Sequence, residues 1–173
     1  MEYLQVFDSD KKAINESVER GEKYNLPRGK FFMIGIVFIQ NSDGKFLLQK
    51  TSTSRHSCIA TTGGHVAYKD NGFQTVLREC KEELGLSLNP EDLHYVDTCM
   101  FANAYLETYY AKKDVDIKDL TIQEEEVESV NWYSVPEIRE LIEEKQFREG
   151  NIKPFEKVLE FKRNSSKIDI NND

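Results

Sequence analysis

The chain has 173 residues, of which 31% are charged and 39% hydrophobic, and its formal net charge is −8 at pH 7. This length supplies one good hydrophobic core, so we expect a single domain across residues 1–173. The acidic balance argues against sequence-independent binding to nucleic acid, because neutralising a phosphate backbone requires clustered Lys and Arg side chains.

Two further features predict a protein of the cytoplasm. The longest apolar run, residues 31–39, is too short to cross a bilayer, and the amino terminus lacks a basic stretch followed by an apolar leader. Cys58, Cys80 and Cys99 are odd in number, widely spaced and without CxxC pairs. We therefore expect reduced thiols rather than a disulfide framework or a zinc site.

Both ends of the chain are predicted to lie outside the main fold. The first 25 residues form an extension in which segments 3–6 and 13–18 are strand-like, and this pattern favours a small hairpin. The extension makes a homodimer plausible. At the other end, residues 163–173 are polar and are expected to fray.

The main fold is predicted to begin with a second hairpin. Phe32–Gln40 and residues 45–50 are its strands, since Asp43-Gly44 between them supplies the geometry of a tight turn. Residues 58–62 then form a short strand that delivers Gly63-Gly64 and a following loop to a helix.

The second half of the chain contains further strands and two helices. Three segments rich in aromatic and β-branched residues are predicted strands: residues 93–102, Ala104–Lys112 and Val127–Tyr133. Ser134 and Glu137 form a capping box that opens a helix running to about Lys145. Residues 152–161 have apolar residues at helical spacing and form the last predicted helix.

Residues 78–86, RECKEELGL, place three carboxylates on one side of a helix that stops at Gly85. Glu79, Glu82 and Glu83 fall within an arc of roughly 100°, beside an apolar stripe. That stripe consists of Phe73, Val76, Leu77, Cys80 and Leu84. Carboxylates about 6 Å apart repel by roughly 3 kcal/mol per pair at a dielectric of about 20, so the crowding indicates a bound cation.

Two interpretations of this acidic helix remain open from its residues alone. Oxygen-only ligands favour Mg²⁺, Mn²⁺ or Ca²⁺ over zinc, which prefers His and Cys. The alternative is a solvated acidic face in which Arg78 and Glu82 form an ordinary ion pair one helical turn apart.

The segment from Gly64 to Leu86 resembles the Nudix box. The family pattern is Gly, five residues, Glu, seven residues, Arg-Glu, an aliphatic residue, any residue, Glu-Glu, any residue, Gly and an aliphatic residue. Asp70 departs from it by replacing the first glutamate, and Cys80 by replacing an aliphatic residue. The positions in register are Gly64, Arg78, Glu79, Glu82, Glu83, Gly85 and Leu86.

This resemblance implies a fold and a chemistry. The fold is of the α/β (α+β) class, an α/β/α sandwich with a mixed sheet between helices. The activity is hydrolysis of a diphosphate linkage, typically in a nucleoside diphosphate derivative, by water attacking phosphorus. The implied cofactor is Mg²⁺, for which Mn²⁺ can substitute, and the implied partner is a small-molecule diphosphate.

Family similarity also implies roles for the residues of the box. Glu79, Glu82 and Glu83 would be metal ligands, with Glu79 also orienting or deprotonating the attacking water. Arg78 would hold a carboxylate in place, and Asp70 would be an outer-shell ligand or base. The Gly63 carbonyl would complete the metal sphere, and Gly64 would allow close approach of the substrate.

Several other residues are candidates for the same site. Among the acidic residues Glu124, Glu125 and Glu126, we favour Glu126 as a further metal ligand or base because it adjoins a predicted strand. Lys50 and Arg55 are candidates for binding the substrate phosphate, and His65 is close enough to the glycines to touch substrate. For each of these residues the alternative is an ordinary solvated side chain in a loop.

Two other functions compete with hydrolysis. The sequence LLQK at the end of the second hairpin and Trp132 before a capped helix are similar to the isopentenyl-diphosphate isomerase branch of the family. That chemistry needs a cysteine beside the glycines, where this chain has Gly63, and Cys58 lies several residues away. A binding or sensor module that has lost catalysis is the third candidate; Asp70 favours it, and the intact glutamate triplet opposes it.

Overall fold

The computed structural model describes residues 2–21, 26–52 and 57–171. The strands within these ranges form a two-stranded and a seven-stranded sheet. In chain order the strands and α-helices are β1 (Tyr3–Phe7), β2 (Ala13–Glu19), β3 (Phe32–Gln40), β4 (Phe46–Thr51), β5 (Ile59–Ala60), β6 (Thr62–His65), α1 (Gly72–Leu84), β7 (Leu93–Phe101), β8 (Ala104–Lys112), β9 (Val127–Tyr133), α2 (Val135–Glu143) and α3 (Ile152–Asn171).

Strand β3 is the centre of the larger sheet and separates two helical layers. It pairs in parallel with β8 along its whole length and antiparallel with β6. Because successive strand residues point to opposite faces, Val37 and Ile39 pack with helix α1, whereas Ile36 and Phe38 pack with α2 and α3. The predicted fold class, a mixed sheet between helices, is therefore confirmed.

The predicted hairpin of β3 and β4 is present with its predicted turn, but the pairing of its strands is short. Gly44 adopts the left-handed region at φ 79°, and its N–H donates to the Asn41 carbonyl. The two strands pair at one position, Gln40 opposite Phe46, and then separate. Strand β3 is buried on both faces, so it takes β8 and β6 as long partners while β4 pairs with β9.

The glycines preceding α1 lie in a strand and not in the predicted loop. Residues 58–62 divide into β5 and the start of β6, and β6 contains both Gly63 and Gly64. Gly64 lies opposite Gly35 and Gly63 opposite Ile36 in the pairing with β3. A Cβ at position 63 would overlap the Gly35 carbonyl oxygen, so this close strand pairing requires glycine.

The helix ends follow the capping signals in the sequence. Helix α1 begins after Asn71, whose side chain accepts from the Gln74 N–H, and ends at Gly85 in the left-handed region at φ 64°. The predicted capping box of Ser134 and Glu137 is present at the start of α2. The predicted end of α1 at Gly85 and the predicted start of α2 at Ser134 are confirmed, and α2 ends at Glu143, two residues before the predicted Lys145.

The prediction of a frayed tail from residue 163 is wrong as far as Asn171, because helix α3 continues to that residue. The hydroxyl groups of Ser165 and Ser166 donate to the carbonyls one turn earlier, at Phe161 and Lys162. Extending an existing helix adds one backbone hydrogen bond per residue, and polar residues permit this in solvent. Within the described ranges, no helix has the length and apolarity needed to span a membrane.

The amino-terminal hairpin is present and is attached to the chain that enters α1. Strands β1 and β2 pair antiparallel, and the side chains of Leu4 and Val6 are fully buried. The Gln5 N–H donates to the Val66 carbonyl at 3.0 Å, and the Tyr68 N–H donates to the Tyr3 carbonyl at 2.9 Å. The hairpin is thus fixed to the segment that connects β6 with α1.

All three cysteines carry free thiols in the structure. Cys80 and Cys99 are buried, and Cys58 is half-buried. Burial raises the pKa of the Cys80 and Cys99 thiols, so both remain protonated and act as small hydrophobic side chains.

Candidate active site

A polar cavity of about 340 Å³ lies where α1 and β6 meet the amino-terminal hairpin. It brings together the three glutamates of the box, both predicted glycines, Arg78 and Glu126. The lining residues are Glu2, Arg20, Gly63, Gly64, Arg78, Glu79, Glu82, Glu83, Gln123 and Glu126.

Arg78 contacts three carboxylates from the centre of this group. Its Nη1 lies 2.6 Å from Asp70 Oδ2, its Nη2 lies 3.9 Å from Glu79 Oε1, and its Nε lies 3.8 Å from Glu82 Oε1. The aspartate that departs from the family pattern therefore pairs with the arginine, and it is not among the residues that line the cavity. This pair holds the guanidinium group beside the other two carboxylates.

Glu83 is positioned from the neighbouring sheet by a residue that the sequence did not reveal. The Gln49 Nε2 donates to Glu83 Oε2 at 3.0 Å, and the Thr62 hydroxyl donates to Gln49 Oε1 at 3.2 Å. The second hydrogen bond fixes the orientation of the Gln49 amide, so that its NH₂ group faces the carboxylate. A glutamine directly after the apolar residues 46–48 of β4 is the signal that could have indicated this role.

The carboxyl group of Glu79 is destabilised in its charged form. Burial raises its pKa most, the charges of Glu83 and Glu82 raise it further, and Arg78 only partly opposes them, which brings the pKa to about 8. The carboxyl groups of Glu79 and Glu83 are close enough to share a hydrogen bond. One proton held between them relieves the repulsion, and a cation placed there would do the same.

Gly64 allows β6 to approach the carboxyl group of Glu79. A Cβ at this position would lie 2.5 Å from Glu79 Oε1 and 2.7 Å from its Cδ. Any side chain at position 64 would therefore displace the carboxylate from the cavity wall.

Glu126 reaches the cavity because its segment is attached to the end of α1. The Gln123 N–H donates to the Glu83 carbonyl at 2.9 Å, and the Glu126 N–H donates to the Gln123 carbonyl at 2.9 Å. Glu124 and Glu125 are exposed and do not line the cavity. Of the three acidic residues, the structure thus brings the one favoured from the sequence to the candidate site.

The donor atoms of the cavity suit a hard divalent cation. They are carboxylate oxygens, which Mg²⁺ and Mn²⁺ prefer, and their mutual repulsion is the charge that a cation would neutralise. Across residues 2–21, 26–52 and 57–171, no three His, Cys, Asp or Glu side chains already converge closely enough to hold a metal ion. Glu82 is 54% exposed and only loosely held by Arg78, so its carboxylate is able to turn towards Glu79 and Glu83.

Two of the predicted phosphate- or substrate-binding residues are not brought to the cavity. Lys50 Nζ lies 3.4 Å from Glu128 Oε1, and Lys50 lines a separate depression together with Cys58. His65 packs edge-on against Phe32, with the ring centroids 5.9 Å apart, and does not line the cavity. The third candidate, Arg55, lies outside the residues that the structure describes.

The contribution of the amino-terminal hairpin to the cavity was not predicted from the sequence. Arg20 and Glu2 both line it, and Arg20 Nη1 lies 2.6 Å from Glu2 Oε2. They are neighbours because Glu2 precedes β1, Arg20 follows β2, and the two strands pair antiparallel with Tyr3 opposite Glu19. Only the docking of the hairpin against the rest of the fold places that end beside Glu79.

The family model described as the NUDIX domain matches residues 32–158, so the chain belongs to the Nudix family. An uncharacterized Nudix hydrolase of Listeria innocua is 26% identical over 145 residues, which make up 82% of this chain and 85% of that protein. A second uncharacterized Nudix hydrolase, from Listeria monocytogenes, is 25% identical with the same coverage.

A solved structure shows the same fold at low sequence identity. The crystal structure of DR0079 from Deinococcus radiodurans has a TM-score of 0.66 at 14% identity, covering 84% of this chain and 91% of that one. The similarity in fold agrees with the match to the family model. The chain is a pyrophosphohydrolase of the Nudix type, a family that acts on small-molecule diphosphates and generally uses divalent metal ions.

Replacing each glycine of β6 by alanine should separate an effect on the site from an effect on the fold. In Gly64→Ala the flexible Glu79 carboxylate moves aside, so we expect turnover to fall by about 10²-fold while stability changes by less than about 1 kcal/mol. In Gly63→Ala the Cβ meets backbone, so we expect a loss of about 2 kcal/mol or more. Urea unfolding and turnover measure the two effects; equal behaviour of the variants would contradict this division.

In metal-free buffer, Glu79→Gln should remove a pH-dependent loss of stability. Because folding raises the pKa of Glu79 from 4.5 to about 8, the folded protein holds this proton more tightly than the unfolded chain. The resulting stabilisation is fully present below pH 4.5 and is lost as the pH rises through about 8.

Unfolding of the two proteins at a series of pH values measures this effect. The wild type should lose stability relative to the variant across that range, by roughly 1 kcal/mol or more at the alkaline end. A difference between the two proteins that stays constant with pH would contradict the crowded environment described for Glu79.

Proposed function

We propose that the protein is a Mg²⁺-dependent hydrolase that cleaves a diphosphate linkage in a nucleoside diphosphate derivative or a related small molecule. The observation that carries this proposal is the meeting of Glu79, Glu82, Glu83 and Arg78 in one cavity. Burial raises the pKa of Glu79 most and repulsion from Glu83 and Glu82 raises it further, and a divalent cation is the ligand that would relieve that repulsion.

In the proposed reaction the side chains hold the cation, the water and the phosphate groups. Glu79, Glu82 and Glu83, together with the Gly63 carbonyl, would hold Mg²⁺, which would neutralise charge on the phosphate oxygens. Glu79 in its ionised form also accepts a proton from the attacking water. The water oxygen bonds to phosphorus, the bond to the bridging oxygen breaks, and the leaving phosphate takes up a proton.

The remaining residues of the site support these groups. Gln49 would keep Glu83 oriented, because its amide donates to one oxygen of that carboxylate. Arg78, fixed by Asp70, would hold Glu79 on the cavity wall, while Glu82 is free to turn towards the cation. Glu126, which also lines the cavity, would be a further ligand or base.

We favour hydrolysis over the two competing functions. For an isomerase, the nearest cysteine in the sequence, Cys58, lines a separate depression, and Gly63 has no side chain to act in its place. For a binding or sensor module, the argument from Asp70 is weakened because this shorter acid still forms its ion pair with Arg78 at 2.6 Å.

The test is a hydrolysis screen with purified protein in the presence of Mg²⁺ or Mn²⁺. The substrates are ADP-ribose, NADH, nucleotide sugars, dinucleoside polyphosphates, oxidised nucleotides and coenzyme A, and the released phosphate products are identified. We expect metal-dependent cleavage of at least one of them, with no turnover when a chelator is present.

Glu82→Gln should lower that turnover by about 10²-fold or more, because it removes a carboxylate from the proposed metal site. Stability in metal-free buffer should be equal or higher, since a like charge is removed. Glu124→Gln is the matched control: it also removes an acidic side chain, but one that is exposed and outside the cavity. Full activity of Glu82→Gln, or equal losses in both variants, would refute the assignment.

A further inference from the structure

The amino-terminal hairpin places a positively charged side chain, that of Arg20, at the cavity, and this residue lies outside the region that the family model matches. That match starts at residue 32, whereas Arg20 and Glu2 belong to the ends of the hairpin. Both side chains line the cavity beside the glutamates of α1. The roles implied by the Nudix box therefore leave Arg20 without an assigned function.

The hairpin holds Arg20 in a defined place relative to the site. The backbone of the hairpin is hydrogen-bonded to residues 66 and 68. In addition, the Gln5 side chain accepts a hydrogen bond from the Lys69 N–H at 2.9 Å. Leu4 pairs with Ala67 in an isolated bridge, and its side chain is fully buried. The segment 66–69 leads directly from Gly64 towards α1, so Arg20 is fixed to the same stretch of backbone that positions the glutamates.

The charges of the cavity leave one guanidinium group for an anionic ligand. The described lining residues carry five carboxylates and two guanidinium groups, a formal charge of −3. Arg78 is occupied in holding Asp70, Glu79 and Glu82. Arg20 pairs instead with Glu2, and both partners are well exposed, at 39% and 42%, so this contact can exchange with a ligand at little cost.

The positive charge of Arg20 is attracted by carboxylates of the cavity. Partial burial lowers its pKa, but the hydrogen bond and charge of Glu2, together with the charges of Glu126 and Glu79, outweigh burial and raise the pKa. Once a cation neutralises Glu79 and its neighbours, that attraction weakens. The guanidinium group is then better able to take an incoming anion as its partner.

We propose that Arg20 binds a non-bridging phosphate oxygen of the substrate, exchanging the Glu2 carboxylate for the diphosphate. This inference rests on the proposed function, because it assigns a substrate-binding residue to the same cavity. The planar guanidinium fork matches phosphate and carboxylate oxygens alike, so Glu2 occupies the position that the phosphate takes on binding. Arg20 would thus bind the diphosphate from the side of the cavity formed by the hairpin.

A purely structural role for the Arg20–Glu2 pair makes a different prediction. If the pair only joins the two ends of the hairpin, removing either partner should have the same effect. If Glu2 competes with the substrate, removing Glu2 should strengthen anion binding and removing Arg20 should weaken it. The two changes then have opposite signs, which a loss of folding cannot produce.

The experiment measures binding of imidodiphosphate, a diphosphate analogue with a P–N–P link, by isothermal titration calorimetry at saturating Mg²⁺. We expect Arg20→Gln to weaken binding about tenfold, and Arg20→Lys to weaken it less because it keeps the charge without the fork. Glu2→Gln should tighten binding about two- to fivefold. KM for the best substrate of the hydrolysis screen should move in the same directions.

The ion pair of Arg139 and Glu156 provides matched controls. Arg139 Nη1 lies 2.8 Å from Glu156 Oε1, and the two side chains are exposed to a similar extent, at 52% and 45%. The pair joins α2 to α3, and neither residue lines the cavity. Arg139→Gln and Glu156→Gln should leave imidodiphosphate binding unchanged. Thermal unfolding of all four Gln variants shows whether any of them perturbs the fold.

The outcomes distinguish this inference from the proposed function. Hydrolysis together with changes of the same sign, or no change, in Arg20→Gln and Glu2→Gln would overturn the role of Arg20 and leave the hydrolase intact. Opposite signs without hydrolysis of any substrate would support the role of Arg20 and contradict the hydrolase. Failure of the wild-type protein to bind imidodiphosphate with Mg²⁺ would overturn the inference irrespective of the hydrolysis screen.

Discussion

The mutual repulsion of Glu79 and Glu83 at the edge of the core is the constraint on which the site depends. Burial and like charge raise the pKa of Glu79 to about 8, although Arg78 lies beside it. A chain that needed only stability would place an apolar side chain there, because burying two like charges side by side is costly. The arrangement is understandable when a cation occupies the cavity, since one ion then compensates several carboxylates at once.

The rest of the fold keeps these carboxylates together. Helix α1 buries Val76, Cys80 and Leu84 against the sheet, and the same helix turns its acidic face to the cavity. Strand β6 approaches closely because Gly64 has no side chain, and β4 contributes Gln49 to hold Glu83. Core packing and the candidate site therefore share elements, so the position of each carboxylate is set by the packing of the whole helix.

The features that could be predicted from the sequence are those carried by neighbours along the chain. Helical spacing fixes the common face of Glu79, Glu82 and Glu83, and capping signals mark the end of α1 at Gly85 and the start of α2 at Ser134, so these features were predicted. The contributions of Gln49 and Arg20 depend on long-range strand pairing and on docking of the hairpin. The same limit explains why the strands of the predicted β3–β4 hairpin pair at only one position, because a favourable turn does not decide which strands become long-range partners.

Diffraction at a wavelength that gives an anomalous signal from Mn²⁺, using crystals soaked in that ion, tests the central claim most directly. The account predicts an anomalous peak inside the cavity, coordinated by oxygens of Glu79, Glu82 and Glu83. A fully soaked crystal with no peak between these side chains, or with Mn²⁺ bound only elsewhere, such as at the exposed acidic depression around Asp43, Asp114 and Asp116, would contradict it.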